Sequence, residues 1–436
     1  MRVLSPPAKT APTVTGRFTY PVSHRFRPGI GSVGEMSAEP LEIEEARRLV
    51  LERVKPLGAE PVAVRAALGR VLAEDVTSAD SVPGFDNSAM DGYAVRAADT
   101  AGSSVRLAVV DESRAGHPAE RELGAGEAIA ISTGAMVPTG ADAVVRVEDT
   151  DGGAEEVEVR VDVEPGKDIR RAGEDIQAGE TVLRAGAELG PAAVGVLASV
   201  GRSEVSCAVR PRVTVLTTGD ELQEPGEPLR PGGIRNSNAH SVAALVELAG
   251  AELLGAEIVA DDEGGTSEAL ASALEGDVVV LCGGVSVGEH DHVRPAAEAL
   301  GVEQVFWRVA LRPGAPTYLG VAPSGALVFG LPGNPVSAMV TFLLFARPAI
   351  RAMMGAVDVK RRTSAVLAVE HPALSKRAQL VRCRLELGSN GWVAHPTGPQ
   401  GSHVLTSMLD ADALAILPPA DAPYPAGTQI EVELLP

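Results

Sequence analysis

The chain has 436 residues, enough for about three domains of ordinary size, so one compact core is not expected. Its 58 acidic residues outnumber 38 basic ones, giving a formal charge of -20 and a pI near 4.9, which argues against broad nucleic-acid or anionic-membrane binding while leaving room for a local anion site. Hydrophobic residues make up 45%, mean hydropathy is +0.11 and no uninterrupted apolar run reaches about 18 residues, so no bilayer span is expected; 3% aromatics speak against a stacking platform for single strands. Residues 1–35 carry five prolines and Arg2, Lys9, Arg17, Arg25 and Arg27, with no acid before Glu35 and no apolar stretch of a secretory signal. They read as a disordered tail; a translation start at Met36 is the plain alternative, and a transit peptide the weaker functional one.

From Leu41 to Val54 the positions Leu41, Ile43, Ala46, Leu49, Val50 and Val54 recur at helical spacing, and Pro56 and Gly58 close that helix. Residues 82–162 change character: short β-branched runs at 143–147 and 157–163 lie between Gly, Pro and Asp clusters, as in a small β-rich domain. Residues 163–206 return to mixed strand and helix, and Pro211 marks the next boundary. After it, apolar runs alternate with helical patterns: RVTVL, a helix near 238–250, LLGAEIVA, a helix near 266–275, DVVVLC, a helix near 291–300, and ALVFG before a helix from 335. Buried strands crossing over through helices predict a parallel, doubly wound sheet. Beyond about 356 the helical signal fades into strands with a Ser389-Asn390-Gly391 hairpin, so 357–436 is expected to be a small β domain. Cys207, Cys282 and Cys383 lie far apart without a CxxC pair, which excludes a zinc ribbon or disulfide framework and fits a reducing cytoplasm.

Three of the predicted strands end in loops rich in chemistry. Thr217-Thr218-Gly219-Asp220-Glu221 follows the first, Gly283-Gly284-Val285-Ser286-Val287-Gly288 follows DVVVLC, and Leu331-Pro332-Gly333-Asn334-Pro335 follows ALVFG. In a doubly wound sheet, ligands bind outside the carboxyl ends of the strands. Asn334 before Pro335 is a helix-start signal whose amides suit an anion, the three glycines allow close backbone approach, and Ser286 offers a hydrogen bond. Any one loop could be a tight turn and no more; three on one sheet point to a site. Asp220, Glu221, Asp261, Asp262, Glu289 and Asp291 crowd the same strand ends, as Mg²⁺ near a phosphate requires, or as helix N-terminal acids favoured by the dipole. Arg308, Arg312 and Arg382 are the candidate anion-holding cations.

Together, FDNSAMDGYAVR (85–96), STGAMVPTGADAVVRVED (132–149), RRAGEDI (170–176), LTTGDEL (216–222), GGVSVGEHDHV (283–293), LRPGAP (311–316) and LPGNPVSAMVTF (331–342) resemble the molybdopterin molybdenumtransferase, or molybdenum insertase, family, which includes the gephyrin E domain. The resemblance runs from about Met36 to Pro436. It implies an α/β multidomain chain: a mixed N-terminal domain (36–81 plus 163–206), an inserted β-rich domain (82–162), a doubly wound molybdopterin-binding domain (207–356) and a C-terminal β domain (357–436). It also implies a cytoplasmic homodimer with the site at the subunit interface, and an enzyme that inserts molybdenum from molybdate into adenylylated molybdopterin with release of AMP, dependent on Mg²⁺. The adenylylated substrate would come from a separate adenylyltransferase; neither nucleic acid nor a membrane is an expected partner.

Carried over by position, Asp91, Thr133, Asp175, Glu221, Asp261, Asp291, Arg308 and Arg312 match the family's catalytic polar residues, with Glu221, Asp261 and Asp291 placing Mg²⁺ or activated water. Thr218, Gly219, Gly283, Gly284, Ser286, Gly288, Pro332, Gly333, Asn334, Ser337, Arg382 and Ser402 would bind substrate, while Asp91 and Thr133 would reach in from the partner subunit. Three positions depart from the family pattern: Ala315 replaces a common lysine, His292 a tyrosine and Asp412 an asparagine. A non-catalytic dimeric scaffold and a tungsten-handling paralogue are the alternatives. The joint presence of Asp91, Glu221, Asp261 and Asp291 argues against the scaffold.

Overall fold

The computed structural model describes residues 39–102, 104–284, 292–356 and 362–436. The apolar runs after Pro211 form a six-stranded sheet in the order Glu252–Val259, Arg212–Thr218, Val278–Cys282, Leu327–Leu331, Tyr318–Val321, Glu303–Trp307. Successive side chains of a strand point to opposite faces, and here both faces are apolar. Val278, Val280 and Cys282 enter one core with Val242, Leu245 and Val246 of the Ser237–Leu248 helix; Val279 and Leu281 enter another with Leu270 of the Glu263–Ala273 helix and Val293 of the Val293–Ala299 helix. Helices on both faces explain why these strands read as unbroken β-branched runs.

The first four strands are mutually parallel, as predicted, but Tyr318–Val321 is antiparallel to both neighbours. The chain reaches Leu327–Leu331 through a tight return at Ala322–Ala326, where the Ala322 N–H donates to the Ala326 carbonyl at 2.9 Å. Two strands, Glu303–Trp307 and Tyr318–Val321, therefore precede the run expected to follow the 291–300 helix directly. Pro313 and Gly314 interrupt the local periodicity between them, so pattern alone does not reveal a pair held by a long connection.

Pro335–Thr341, a π-helical turn Phe342–Ala346 and Arg347–Met353 make one helical run beneath the sheet. By length and composition it could cross a membrane, yet 83% of it is buried inside the protein, and Phe342, Leu344, Phe345 and Ile350 are core residues. The Ile43–Arg53 helix, with Glu44 and Glu45 in its first turn and Arg53 in its last, packs Ile43, Ala46 and Val50 into this same core. Arg47 on that helix makes a two-pronged bond to Glu433, 2.8 Å to each oxygen, and donates to the Leu344 carbonyl at 3.1 Å.

The segments on either side of 82–162 share a core: Ala59–Ala63 pairs with Glu204–Ala208, and Val62, Leu72 and Val76 pack with Leu189, Leu197 and Cys207. Between them, Ala143–Arg146, Gly92–Val95, Glu127–Ile131, Val105–Ser113 and Glu156–Val159 form a five-stranded sheet in that order. At the C-terminus, Ala378–Gly388, Gly391–Pro396, Arg362–Leu367, Gln429–Leu434 and Ala413–Leu417 close into a barrel, because the last strand pairs back with the first. Ala365, Ala394, Ala413, Ala415 and Cys383 line its core, side chains small enough for so narrow a ring. The expected hairpin is present, with Ser389 and Asn390 as its loop and Gly391 already paired to Gly388.

Candidate functional site

In the central sheet the chain leaves Arg212–Thr218 toward one neighbour, Glu252–Val259, and then returns to the other side as Val278–Cys282. That reversal is the topological switch point, where a crevice opens outside the strand ends. Thr218, Gly219, Gly283 and Gly284 stand at it. Gly283 has φ +101° and Gly284 φ +63°; a Cβ on Gly283 would lie 2.8 Å from the Thr218 carbonyl oxygen. Any side chain would fill this cradle, so glycine is required on both conformational and steric grounds. The Glu221 carboxylate lies over Gly219, where an added Cβ would come within 2.6 Å of it.

Among the described residues, two polar atoms here have no partner. Thr218 is 8% exposed, and its hydroxyl oxygen is buried without a hydrogen bond; the same holds for Asn238 Oδ1. Asn238 Nδ2 donates to the Gly333 carbonyl at 2.7 Å. A carbonyl can only accept, so this contact fixes which end of the amide is left over. Buried unpaired polar atoms cost about 1–3 kcal/mol each, and a pair at one crevice is what a ligand's polar edge would satisfy. Asn238 was not among the residues singled out by sequence; its only local signal is its place in the first turn of a helix following a glycine-rich loop. Its neighbour Asn236 is fully buried, caps the helix by accepting from the Ala239 N–H, and donates to Thr217 Oγ1 at 3.0 Å and Glu224 Oε1 at 3.1 Å.

From Gly333 the site continues into the helix start. Asn334 occupies the N-cap and Pro335 the first turn, as predicted, but the Asn334 side chain makes no capping hydrogen bond and is exposed. The Val336 N–H donates instead to the Ser402 carbonyl at 3.1 Å, so the 399–402 loop of the C-terminal barrel supplies the acceptor. Ser337 is buried, and Gly314 of the LRPGAP segment presses on the same turn, where an added Cβ would meet Thr341 at 2.4 Å.

Arg382 joins this group through strand alternation. Val381 and Cys383 point into the barrel core, whereas Leu380 enters the core under the central sheet, so Arg382 shares the face turned toward the central domain. It is 1% exposed and donates to Ser407 Oγ at 3.1 Å and to the carbonyls of Gly401, 3.1 Å, and Pro399, 3.4 Å. Among the described residues no carboxylate lies within ion-pair distance. Burial holds its pKa below the ordinary arginine value, but the guanidinium remains charged, and a buried charge with neutral partners favours an anion. Arg312 lies in a short strand, Leu311–Arg312, paired beside Ala378 and Gln379 on the Arg382 strand. Arg308 follows Trp307 at the same edge of the central sheet.

The carboxylates divide. Asp262 is the N-cap of the Glu263–Ala273 helix, accepting from Gly265 N–H at 2.7 Å. Asp261 is half-buried, with no hydrogen bond or ion pair among the described residues, and Glu221 is exposed. Among the described residues no three His, Cys, Asp or Glu side chains converge to hold a metal ion; Ser286, Gly288 and Asp291 lie outside them. Glu221 and Asp261 fit Mg²⁺ held by one or two carboxylates plus waters and substrate phosphate, not an all-protein cage.

Asp91, Thr133 and Asp175 sit elsewhere, on the β-rich region and its stem. Asp91 Oδ1 accepts the Thr133 N–H at 2.7 Å, and all three residues are exposed. Nearby, Asp86 accepts from Ala172 N–H and pairs with Arg171, interactions that lower its pKa, the Ala172 bond most. No hydrogen bond or ion pair among the described residues joins this group to the switch-point group. One copy of the chain thus carries two separate clusters.

Comparisons with known proteins bear on both. Residues 41–201 match the family model for the MoeA N-terminal region (domain I and II), 214–352 that for a probable molybdopterin binding domain, and 364–435 that for the MoeA C-terminal region (domain IV). The chain is 40% identical over 403 residues to molybdopterin molybdenumtransferase 2 of Mycobacterium tuberculosis, covering 89% of this chain and 98% of that protein. It is 37% identical over 406 residues to the molybdopterin molybdenumtransferase of Bacillus subtilis, covering 91% and 94%. A crystal structure of a molybdopterin biosynthesis moeA protein from Pyrococcus horikoshii OT3 superposes with a TM-score of 0.78 at 31% identity, covering 91% of this chain and all of that one.

Proposed function

Because the chain belongs to the MoeA family of molybdopterin molybdenumtransferases, a transferase family of molybdenum-cofactor biosynthesis, we propose that it inserts molybdenum from molybdate into adenylylated molybdopterin and releases AMP. The observation that carries this reading is the continuity of the switch-point site. Unpaired Thr218 Oγ1 and Asn238 Oδ1 connect through Gly333, the helix start and Ser402 to the buried, carboxylate-free Arg382. The two oxygens would take the polar edge of the pterin, with the Thr218 hydroxyl donating and the Asn238 carbonyl accepting. Arg382, Arg312 and Arg308 would hold the oxyanion and the phosphates, and the glycine cradle would bring backbone close to the pyrophosphate. Glu221 and Asp261, with Asp291, would hold Mg²⁺, which when bound neutralises charge developing on the cleaved phosphoanhydride.

The separation of the Asp91–Thr133 cluster from this edge supports a homodimer in which each copy lends that cluster to the other's site. In this reading a separate adenylyltransferase supplies the adenylylated pterin. Buried, unpaired Cys207, Cys282 and Cys383 agree with a cytoplasmic location, and the net charge of -20 with the absence of nucleic-acid or membrane partners.

The test is to incubate the purified protein with adenylylated molybdopterin, Mg²⁺ and either molybdate or tungstate, and to follow AMP release and metal retained on the pterin. Metal-dependent AMP release is expected with molybdate. Tight pterin binding without turnover would overturn the reading in favour of a carrier or scaffold, and preferential retention of tungsten would reassign the metal.

A further inference from the structure

Trp307, one of two tryptophans in the chain, carries two cations. The Arg294 guanidinium carbon lies 4.3 Å from its ring centroid and that of Arg308 4.5 Å, so the two charges are less than about 9 Å apart, comparable to a Debye length at physiological salt. Like charges this close are ordinarily offset by carboxylates, and acids outnumber bases in this chain. Yet among the described residues neither arginine has a carboxylate within ion-pair distance. Glu298, one turn beyond Arg294 on the same helix, forms no ion pair with it, and the polar contact that Arg294 does make is from Nε to the neutral Gln304 Oε1 at 3.2 Å.

The backbone supports the arrangement. Arg308 has φ +146°, a region that non-glycine residues rarely enter. It is held there by Leu41, whose N–H donates to the Arg308 carbonyl at 3.1 Å and whose carbonyl accepts from Ala310 at 2.7 Å. Glu303–Trp307 runs in the same direction as Leu327–Leu331, with one antiparallel strand between them, so Trp307 ends at the carboxyl edge about 10 Å along from Leu331.

We propose that Trp307 is a platform that fixes Arg294 and Arg308 as a paired-cation receptor for a tetrahedral dianion, making Arg294 a further substrate-binding residue and Trp307 a positioning residue. This rests on the proposed function and deepens it. Because an indole face attracts a cation without neutralising it, the stack orients both guanidiniums while leaving their charge for a ligand. The same chemistry suits a metal oxyanion or a nucleotide phosphate.

The test uses the full chain carrying Trp392→Phe, so that Trp307 is the only indole. Its emission and the heat of binding are followed while molybdate, AMP or inorganic pyrophosphate is added. A saturable emission change is expected, with binding weakened roughly fivefold or more by Arg294→Gln and by Trp307→Leu, and largely kept by Trp307→Phe and Arg294→Lys. A response to molybdate alone assigns the receptor to the oxyanion; a response to AMP or pyrophosphate alone assigns it to the phosphate. Unmoved emission at saturation, or an Arg294→Gln protein that binds every dianion like its parent, would overturn the proposal. If Arg382→Gln loses molybdate while Arg294→Gln binds molybdate, AMP and pyrophosphate like its parent, the platform falls and the proposed function stands; if the parent binds none of the three, both fall.

Discussion

At the carboxyl edge of the central sheet, polar atoms are buried and left without partners; at Asp91 and Thr133, polar atoms are exposed and bonded to each other. Thr218 and Asn238 keep unsatisfied oxygens inside the protein, a cost that folding bears and binding can recover. Asp91 instead spends one carboxylate oxygen on the Thr133 N–H, and the residue is exposed. In the proposed function the first region is a receptor built in advance. The second is a surface feature that, in the proposed dimer, acquires its role when the other copy's surface meets it.

The comparison can be broken most forcefully at Gly283. Gly283→Ala adds a Cβ 2.8 Å from the Thr218 carbonyl at φ +101°, so a loss of about 3 kcal/mol in stability and near-complete loss of pterin binding are expected in denaturant melts and calorimetry. A variant that melts and binds like the parent would show that the cradle has no role. Thr218→Val should separate stability from function. Removing a buried unpaired hydroxyl leaves the protein as stable or up to about 1 kcal/mol more stable, while pterin affinity falls roughly tenfold; unchanged affinity would mean the hydroxyl meets no ligand.

The smallest expected effect is on pH. Asp86, Asp111, Asp151 and Asp168, all in or beside the β-rich region, have pKa values lowered: Asp168 mainly by Arg146, Asp86 by Ala172 N–H and then Arg171, Asp111 and Asp151 mainly by backbone N–H groups. A depressed folded-state value means the unfolded chain takes up protons first as pH falls. The stability these groups lend is therefore complete above the ordinary carboxylate value of about 4 and is lost below it. Hydrogen exchange at pH 7 and at about pH 3, corrected for the intrinsic exchange rate, should show residues 86–170 losing protection more than the central strands; the reverse order would contradict the assignment.

The central strands were legible because both faces are buried, which writes them as unbroken runs such as DVVVLC, and the glycine loops were legible because only glycine tolerates that geometry. The Glu303–Trp307 and Tyr318–Val321 strands were not, since Pro313 and Gly314 interrupt the periodicity between them. Leu311–Arg312 is the sharper case: its partner is Ala378–Gln379, more than sixty residues away. Asn238, Arg294 and Trp307 escaped notice for a related reason. An asparagine in a first helical turn, or an arginine beside an aromatic, is common in any chain, and only the unpaired Oδ1 and the shared indole distinguish them. Only the family resemblance separated Asp261 from Asp262 in sequence; the helix start gives the physical difference, since Asp262 is the cap.

The central claim is that the two regions, separate in one chain, make one site across two copies, and subunit mixing tests it. Asp91→Asn and Glu221→Gln proteins, each expected to be nearly inactive in AMP release yet folded and dimeric, are unfolded together, refolded and assayed. Random pairing gives mixed dimers in about half the population, each with one intact composite site, so activity should return to about a quarter of the parent's. A mixture as inactive as its components would place both residues in the site of a single chain and contradict the account.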